Sequence, residues 1–138
     1  MIVSTASALV IFIGWTLALL IVMELLRTSL VLSKRIDATK FKSGNENLSP
    51  FMQRLARAHM NCIEGLPVFG GLLLVAIATS RTAITDPLAA WFILARLVQS
   101  VTHLISTAAL AVNIRFTAFS IQMVIGAIWA WNLLAALR

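Results

Sequence analysis

Long apolar stretches decide what this chain can become. The first runs from Ile2 to Met23 without a charged side chain, as long as the roughly 20 residues that cross a hydrocarbon core. Similar stretches follow inside 50–79, 87–109 and 113–137. A bilayer core has no water to satisfy backbone N–H and C=O groups, so such stretches must be helices or a closed barrel. Their length and their lack of strict alternation choose helices. The expected fold is all-α: one integral membrane domain over 1–138. Four antiparallel transmembrane helices lie at about 2–30, 50–79, 87–109 and 113–137, with a basic loop at 33–49. The start of the chain has no basic residue ahead of its apolar run, so the first span reads as retained rather than cleaved.

Local signals set those boundaries. Ser49-Pro50 reads as an N-cap followed by proline at the first helical position. Asp86-Pro87 repeats that signal for the third helix, and Asn113 is a plausible cap for the fourth. Ser43-Gly44-Asn45 reads as a turn within the basic loop. Short connections near Thr82 and Ala111 favour antiparallel neighbours.

The 138 residues carry a net charge of +6, but its distribution argues against a nucleic-acid partner. Lys34, Arg35, Lys40 and Lys42 share the first loop, and Arg115 lies just past the third helix. Membrane topology and anionic lipid account for that pattern. It places these loops in the cytoplasm and both termini outside. Only one cysteine and two histidines are present, which excludes an internal disulfide and a zinc-type cluster, so no metal is expected.

One segment resists the apolar pattern. Arg54 to Pro67 reads RLARAHMNCIEGLP. At about 100° per residue, Arg54, Arg57, Asn61 and Glu64 fall within a sector roughly 80° wide. A charged stripe facing lipid costs several kcal/mol, so this one must face protein or a wet cavity. On the third helix Arg96, Gln99 and His103 form a second polar face by their three- and four-residue spacing. Arg115 opens the fourth. Glu24 and Arg27, three apart, can meet as an ion pair anchoring the first helix end. His59 points about 140° from Arg54, which suits either a hydrogen-bonded histidine between helices or contact with a neighbouring subunit. Cys62 reads as a small buried residue.

On these residues the chain resembles the membrane-associated proteins in eicosanoid and glutathione metabolism. The family pattern Arg-Ala-x-x-Asn-x-x-Glu-x-x-Pro appears as Arg57, Ala58, Asn61, Glu64 and Pro67. The third-helix pattern begins with Ala95-Arg96, and the fourth-helix arginine is Arg115. The resemblance implies a homotrimer of four-helix protomers with glutathione as co-substrate, bound near the cytoplasmic face. It implies Arg115 as the catalytic residue that stabilises the thiolate. Arg57, Asn61 and Glu64 would grip glutathione, with Arg54, His59, Arg96, Gln99, His103 and Arg27 as further contacts. The chemistry agrees: arginine can hold a carboxylate and Glu64 an ammonium, while a thiol near ~8.5 needs a fixed cation to ionise at neutral pH. The chain departs from the related enzymes in having no tyrosine. Gln99 and His103 stand where relatives carry His or Tyr, and Gly65 stands where one has a ligand-contacting Tyr.

The expected function is therefore a glutathione transferase acting on lipophilic electrophiles that arrive through membrane lipid, with glutathione peroxidase activity as a further expectation. Detoxification and eicosanoid metabolism are the processes the family suggests. The bacterial inner membrane is the expected location, with the endoplasmic reticulum as the other choice. Two other classes remain open: a nonenzymatic lipid-binding or scaffold protein of the same fold, and a small transporter using Glu24 or Glu64.

Overall fold

The computed structural model describes residues 3–138; the expected start of the first helix at residue 2 lies outside them. Four helices are long and apolar enough to cross a membrane: α1 (Thr5–Leu32), α2 (Pro50–Ala78), α3 (Thr82–Ile105) and α4 (Ala109–Ala136). The described residues contain no strand. Large apolar side chains such as Val10, Leu25, Leu74, Val124 and Trp131 stand exposed on the outside. That surface suits lipid and not water. The chain is an integral membrane protein.

Ser49 caps α2 as its sequence suggests, its hydroxyl accepting from Met52 N at 3.3 Å, and Pro50 occupies the first turn. The other two starts differ from expectation. α3 begins at Thr82, ahead of residue 87, and ends at Ile105, short of 109. Asp86 does not cap its own helix because its carboxylate caps another. Its Oδ1 accepts from the backbone N–H of Thr5 at 2.7 Å and from the Thr5 hydroxyl at 2.6 Å. Thr5 and Thr85 hydroxyls add a 2.5 Å contact. Pro87 then lies in the second turn of α3, where its missing N–H removes one backbone bond. α4 begins at Ala109, ahead of residue 113. Ser106 Oγ accepts from Ala108 N at 3.0 Å and turns the chain between α3 and α4, leaving Asn113 inside the helix.

The Asp86 cap yields a stability prediction. Asp86→Ala strands the first donors of α1 at the α1–α3 contact. It should lower unfolding free energy by about 1–3 kcal/mol, read as a lower thermal midpoint in detergent. Asp86→Asn keeps an acceptor and should recover part of the loss. Equal midpoints for all three proteins would show that the cap contributes nothing.

The basic loop is tied down by Asn45, which is fully buried and adopts φ 56°. Asparagine tolerates that left-handed conformation better than most side chains. Asn45 Nδ2 donates to Met52 O at 2.8 Å. Its Oδ1 accepts from Arg27 Nη2 at 2.6 Å and Nε at 3.0 Å. Asp37 shapes the loop too. The Thr39 backbone N–H and then its hydroxyl hold the Asp37 carboxyl below the usual carboxylate range.

Within the bundle, Phe12, Phe69, Phe92 and Trp129 form an aromatic core from all four helices, with centroid spacings of 5.2–5.6 Å. α2 is not uniform. It is α-helical over Pro50–Gly65, makes a π turn over Leu66–Gly70 and resumes over Gly71–Ala78. Pro67 has no N–H for the regular ladder, and the π turn absorbs the resulting shift. This brings Phe69 inward against α4 at Gly126. A Cβ there would lie 2.8 Å from Phe69 Cε1, so glycine is what permits the approach.

Candidate functional site

The stripe on α2 opens onto two clefts, one below the other along the helix. The inner cleft, about 410 Å³, is lined by Asn61, Glu64, Gly65 and Val68 of α2, with Gln99 of α3 and Phe119 of α4 among the others. One end is polar and the other apolar. The outer cleft, about 220 Å³, is lined by Pro50, Gln53, Arg54, Arg57 and Thr107. Arg54 is fixed there by its Nε, which donates to Leu104 O at 2.9 Å and so caps a carbonyl in the last turn of α3.

Asn61 is the hub of the inner site. Its Oδ1 accepts from Gln99 Nε2 at 3.2 Å and from Arg96 Nη1 at 3.5 Å. Arg96 Nη1 also reaches Asn61 O at 3.4 Å. Behind Gln99 stands Gln122 of α4, whose Nε2 donates to Gln99 Oε1 at 2.9 Å and to Ala118 O at 3.0 Å. A polar chain thus crosses α3, α2 and α4 in the middle of an apolar bundle.

Arg96 is the most unusual residue in it. It is only 1% exposed, its Cζ lies 4.9 Å from the Phe12 ring centre and 5.7 Å from that of Phe69, and among the described residues it has no carboxylate partner. Its Nε and Nη2 are buried without a hydrogen-bond acceptor. Gly65 makes room for it: a Cβ at that position would stand 2.6 Å from Arg96 Nη2. The guanidinium therefore lies directly behind the Gly65 backbone that lines the cleft. The Arg96 side chain thus fills the space that any side chain at position 65 would enter.

The other sequence-derived candidates are placed as follows. Glu64 is exposed on the cleft wall, and Gln99 is 6% exposed. Arg54 and Arg57 belong to the outer cleft. His103, one turn beyond Gln99 on α3, is partly buried and lines neither cleft. Arg115 is in the second turn of α4, partly exposed, also outside both linings. His59 Nε2 is buried without a partner. Arg27 is not brought to the cleft: Glu24 Oε1 takes its Nη1 at 3.0 Å, and Asn45 and Lys42 O take the rest. The Glu24–Arg27 pair expected from spacing thus forms. Cys62 is fully buried, 3.5 Å from Ser100 Oγ.

Beyond this geometry, the comparison with known families decides the relationship. The profile described as MAPEG family matches residues 5–135, nearly the whole chain. The chain belongs to the MAPEG family. No curated protein and no solved structure matches it. The family contains glutathione transferases and also members with no enzymatic role. In this MAPEG chain the motif residues Asn61 and Glu64 share the inner cleft, while Arg57 lies one cleft toward the loops.

Sequence reading missed Gln122 and the reason for Gly65. Gln122 could have been found: it is an amide in the apolar middle of α4, seven residues and nearly two full turns from Arg115 on the same face. Nothing local in the sequence signals that Gly65 must accommodate a side chain from another helix.

Proposed function

We propose that this MAPEG protein is a membrane glutathione transferase that joins the glutathione thiolate to lipophilic electrophiles. Peroxidase activity on lipid hydroperoxides is part of the same reading, since it uses the same thiolate. One observation carries it: a buried, anion-free Arg96 guanidinium with two unpartnered nitrogens, set beside a cleft that also holds Asn61 and Glu64. An uncompensated cation among aromatic rings costs several kcal/mol, which an arriving carboxylate or thiolate can offset. Glu64 offers the complementary contact for an ammonium. Glutathione carries both kinds of group.

In this mechanism the residues of the chain bind and orient. Asn61 holds an anionic group with the charge of Arg96 behind the wall attracting it, Glu64 holds the amine, and Arg115 stabilises the developing thiolate from the cytoplasmic rim. The apolar end of the cleft, with Val68, Phe119 and Met123, receives the lipophilic partner from the bilayer. The reading includes a homotrimer in a bacterial inner membrane, with the site toward the cytoplasm and His59 serving the neighbouring protomer.

The second reading, a nonenzymatic lipid-binding protein, has its own support. An apolar groove of about 380 Å³ lies between α3 and α4, lined by Trp91, Leu94, Val98, Ile114 and Ile121 among others, and it can hold an acyl chain without using the polar cleft. A transporter is less well supported, because Glu24 is 53% exposed and ion-paired and Glu64 is exposed too. Isothermal titration of the detergent-purified protein with glutathione separates the readings. Saturable heat with micromolar to millimolar affinity is expected; its absence would remove the transferase reading.

A further inference from the structure

We propose that Gln122 is a positioning residue that fixes the hydrogen-bond polarity of the inner cleft, making Asn61 present donors to the ligand. The proposal deepens the glutathione reading and rests on it for the identity of the ligand.

The order of donors and acceptors is set at both ends. At one end stands Ala118 O, a backbone carbonyl that can only accept. Gln122 must therefore turn its Nε2 toward it, at 3.0 Å. The second hydrogen on Nε2 goes to Gln99, which must answer with its oxygen, at 2.9 Å. Gln99 then has only its Nε2 left for Asn61, which answers with Oδ1 at 3.2 Å. At the other end stands Arg96, which can only donate. Its Nη1 also faces Asn61 Oδ1, at 3.5 Å. Both ends impose the same order, and the amides between them have no freedom to reverse.

Two consequences follow for the cleft. Asn61 Oδ1 is taken up by Gln99 and Arg96, and among the described residues Asn61 Nδ2 has no protein partner. Asn61 lines the cleft, so it offers the ligand N–H groups. With Arg96 behind Gly65, this wall selects an acceptor, preferably anionic. The order also has a cost: Gln122 Oε1 is buried with no hydrogen-bond partner. Reversing the Gln122 amide would satisfy nothing there and would set its oxygen against Ala118 O. An orphaned acceptor on a fully buried side chain calls for an explanation, and a fixed polarity at the binding wall supplies one. A tyrosine could have supplied a donor directly. This chain has none and uses three amides in series.

The test uses full-length protein in detergent or nanodiscs and two readouts. Without ligand, hydrogen exchange of ¹⁵N-labelled side-chain amides should find Gln99 and Gln122 protected and Asn61 exchanging freely. Gln122→Met, similar in size and unable to donate, should release the Gln99 amide protons. With glutathione, Gln122→Met should weaken affinity about tenfold, as should Asn61→Ala. The double variant should bind like Asn61→Ala alone, since Gln122 acts only through Asn61. Gln99→Met interrupts the same relay from another helix and should reproduce the loss. Unchanged affinity in Gln122→Met and Gln99→Met overturns the proposal. So does a Gln122→Met loss that repeats in full on the Asn61→Ala background, which marks a packing role. If the parent takes up no glutathione, the transferase reading fails by itself. Gln99 amide protons that exchange no faster in Gln122→Met than in the parent overturn the relay whatever the ligand.

Discussion

Replacing Arg96 with Met should raise the thermal midpoint of the ligand-free protein while weakening glutathione binding by about 10²-fold or more. The two effects have one origin. A buried ion without a partner carries an effective penalty of several kcal/mol. The rings of Phe12 and Phe69 return about 2 kcal/mol by cation–π attraction at a desolvated site. The long contacts to Asn61, at 3.4 and 3.5 Å, add little. The guanidinium is therefore a net liability in the empty protein, and methionine can fill its space among Phe12, Phe69 and Cys62 without one. Ligand binding reverses the sign. Removing one member of a desolvated charge pair costs about 2–5 kcal/mol, which is the expected affinity loss. Opposed changes of this kind mark a residue kept for function against stability. Thermal unfolding in detergent and glutathione titration on the same preparations measure both. A lower midpoint with intact binding would make Arg96 a structural residue and take away the main support for the transferase reading.

The sequence disclosed the membrane fold because hydrophobic length is a direct physical requirement of the bilayer. It also disclosed the polar face of α3, where Arg96 and Gln99 are buried; the α2 stripe is only partly enclosed, with Arg57 and Glu64 exposed and Arg54 and Asn61 half-buried. Helix starts were less legible. Asp86-Pro87 and Asn113 are good local start signals, yet α3 and α4 begin earlier. The side chain of Asp86 was claimed by the N-terminus of α1 from 81 residues away in sequence. Long-range competition of this kind leaves no trace in a local window. Arg27 shows the same limit. Its spacing from Glu24 announced the ion pair, but Asn45, buried in a polar loop, takes its other nitrogens. Gly65 was legible as an absent side chain and illegible as the space that Arg96 occupies.

Arg115→Ala should lower kcat for conjugation by roughly 10²-fold or more, the range for a lost electrostatic stabiliser, with a much smaller change in glutathione affinity. Arg115 lines neither cleft, so the argument runs through its helix. Phe119 lies one turn below it, on the wall of the inner cleft, and Gln122 lies on the same face about 10 Å below Arg115, at 1.5 Å per residue. Arg115 therefore stands at the rim, near the wall and apart from the Asn61 hub to which the proposed reading assigns the grip on glutathione. Among the described residues no protein acceptor holds its guanidinium, leaving it free to meet a thiol carried to that rim. A side chain that engages charge only as the thiolate develops acts on the transition state and not on the ground state. This separates kcat from affinity. The competing role is anchorage at lipid headgroups, which any cation fulfils, so Arg115→Lys would then restore everything. Under the catalytic role lysine rescues only in part, because a single ammonium cannot reproduce the planar fork. Thiolate absorbance on adding glutathione, compared in the parent, Arg115→Ala and Arg115→Lys, reads the step directly. A full thiolate signal in Arg115→Ala would remove the residue from the mechanism.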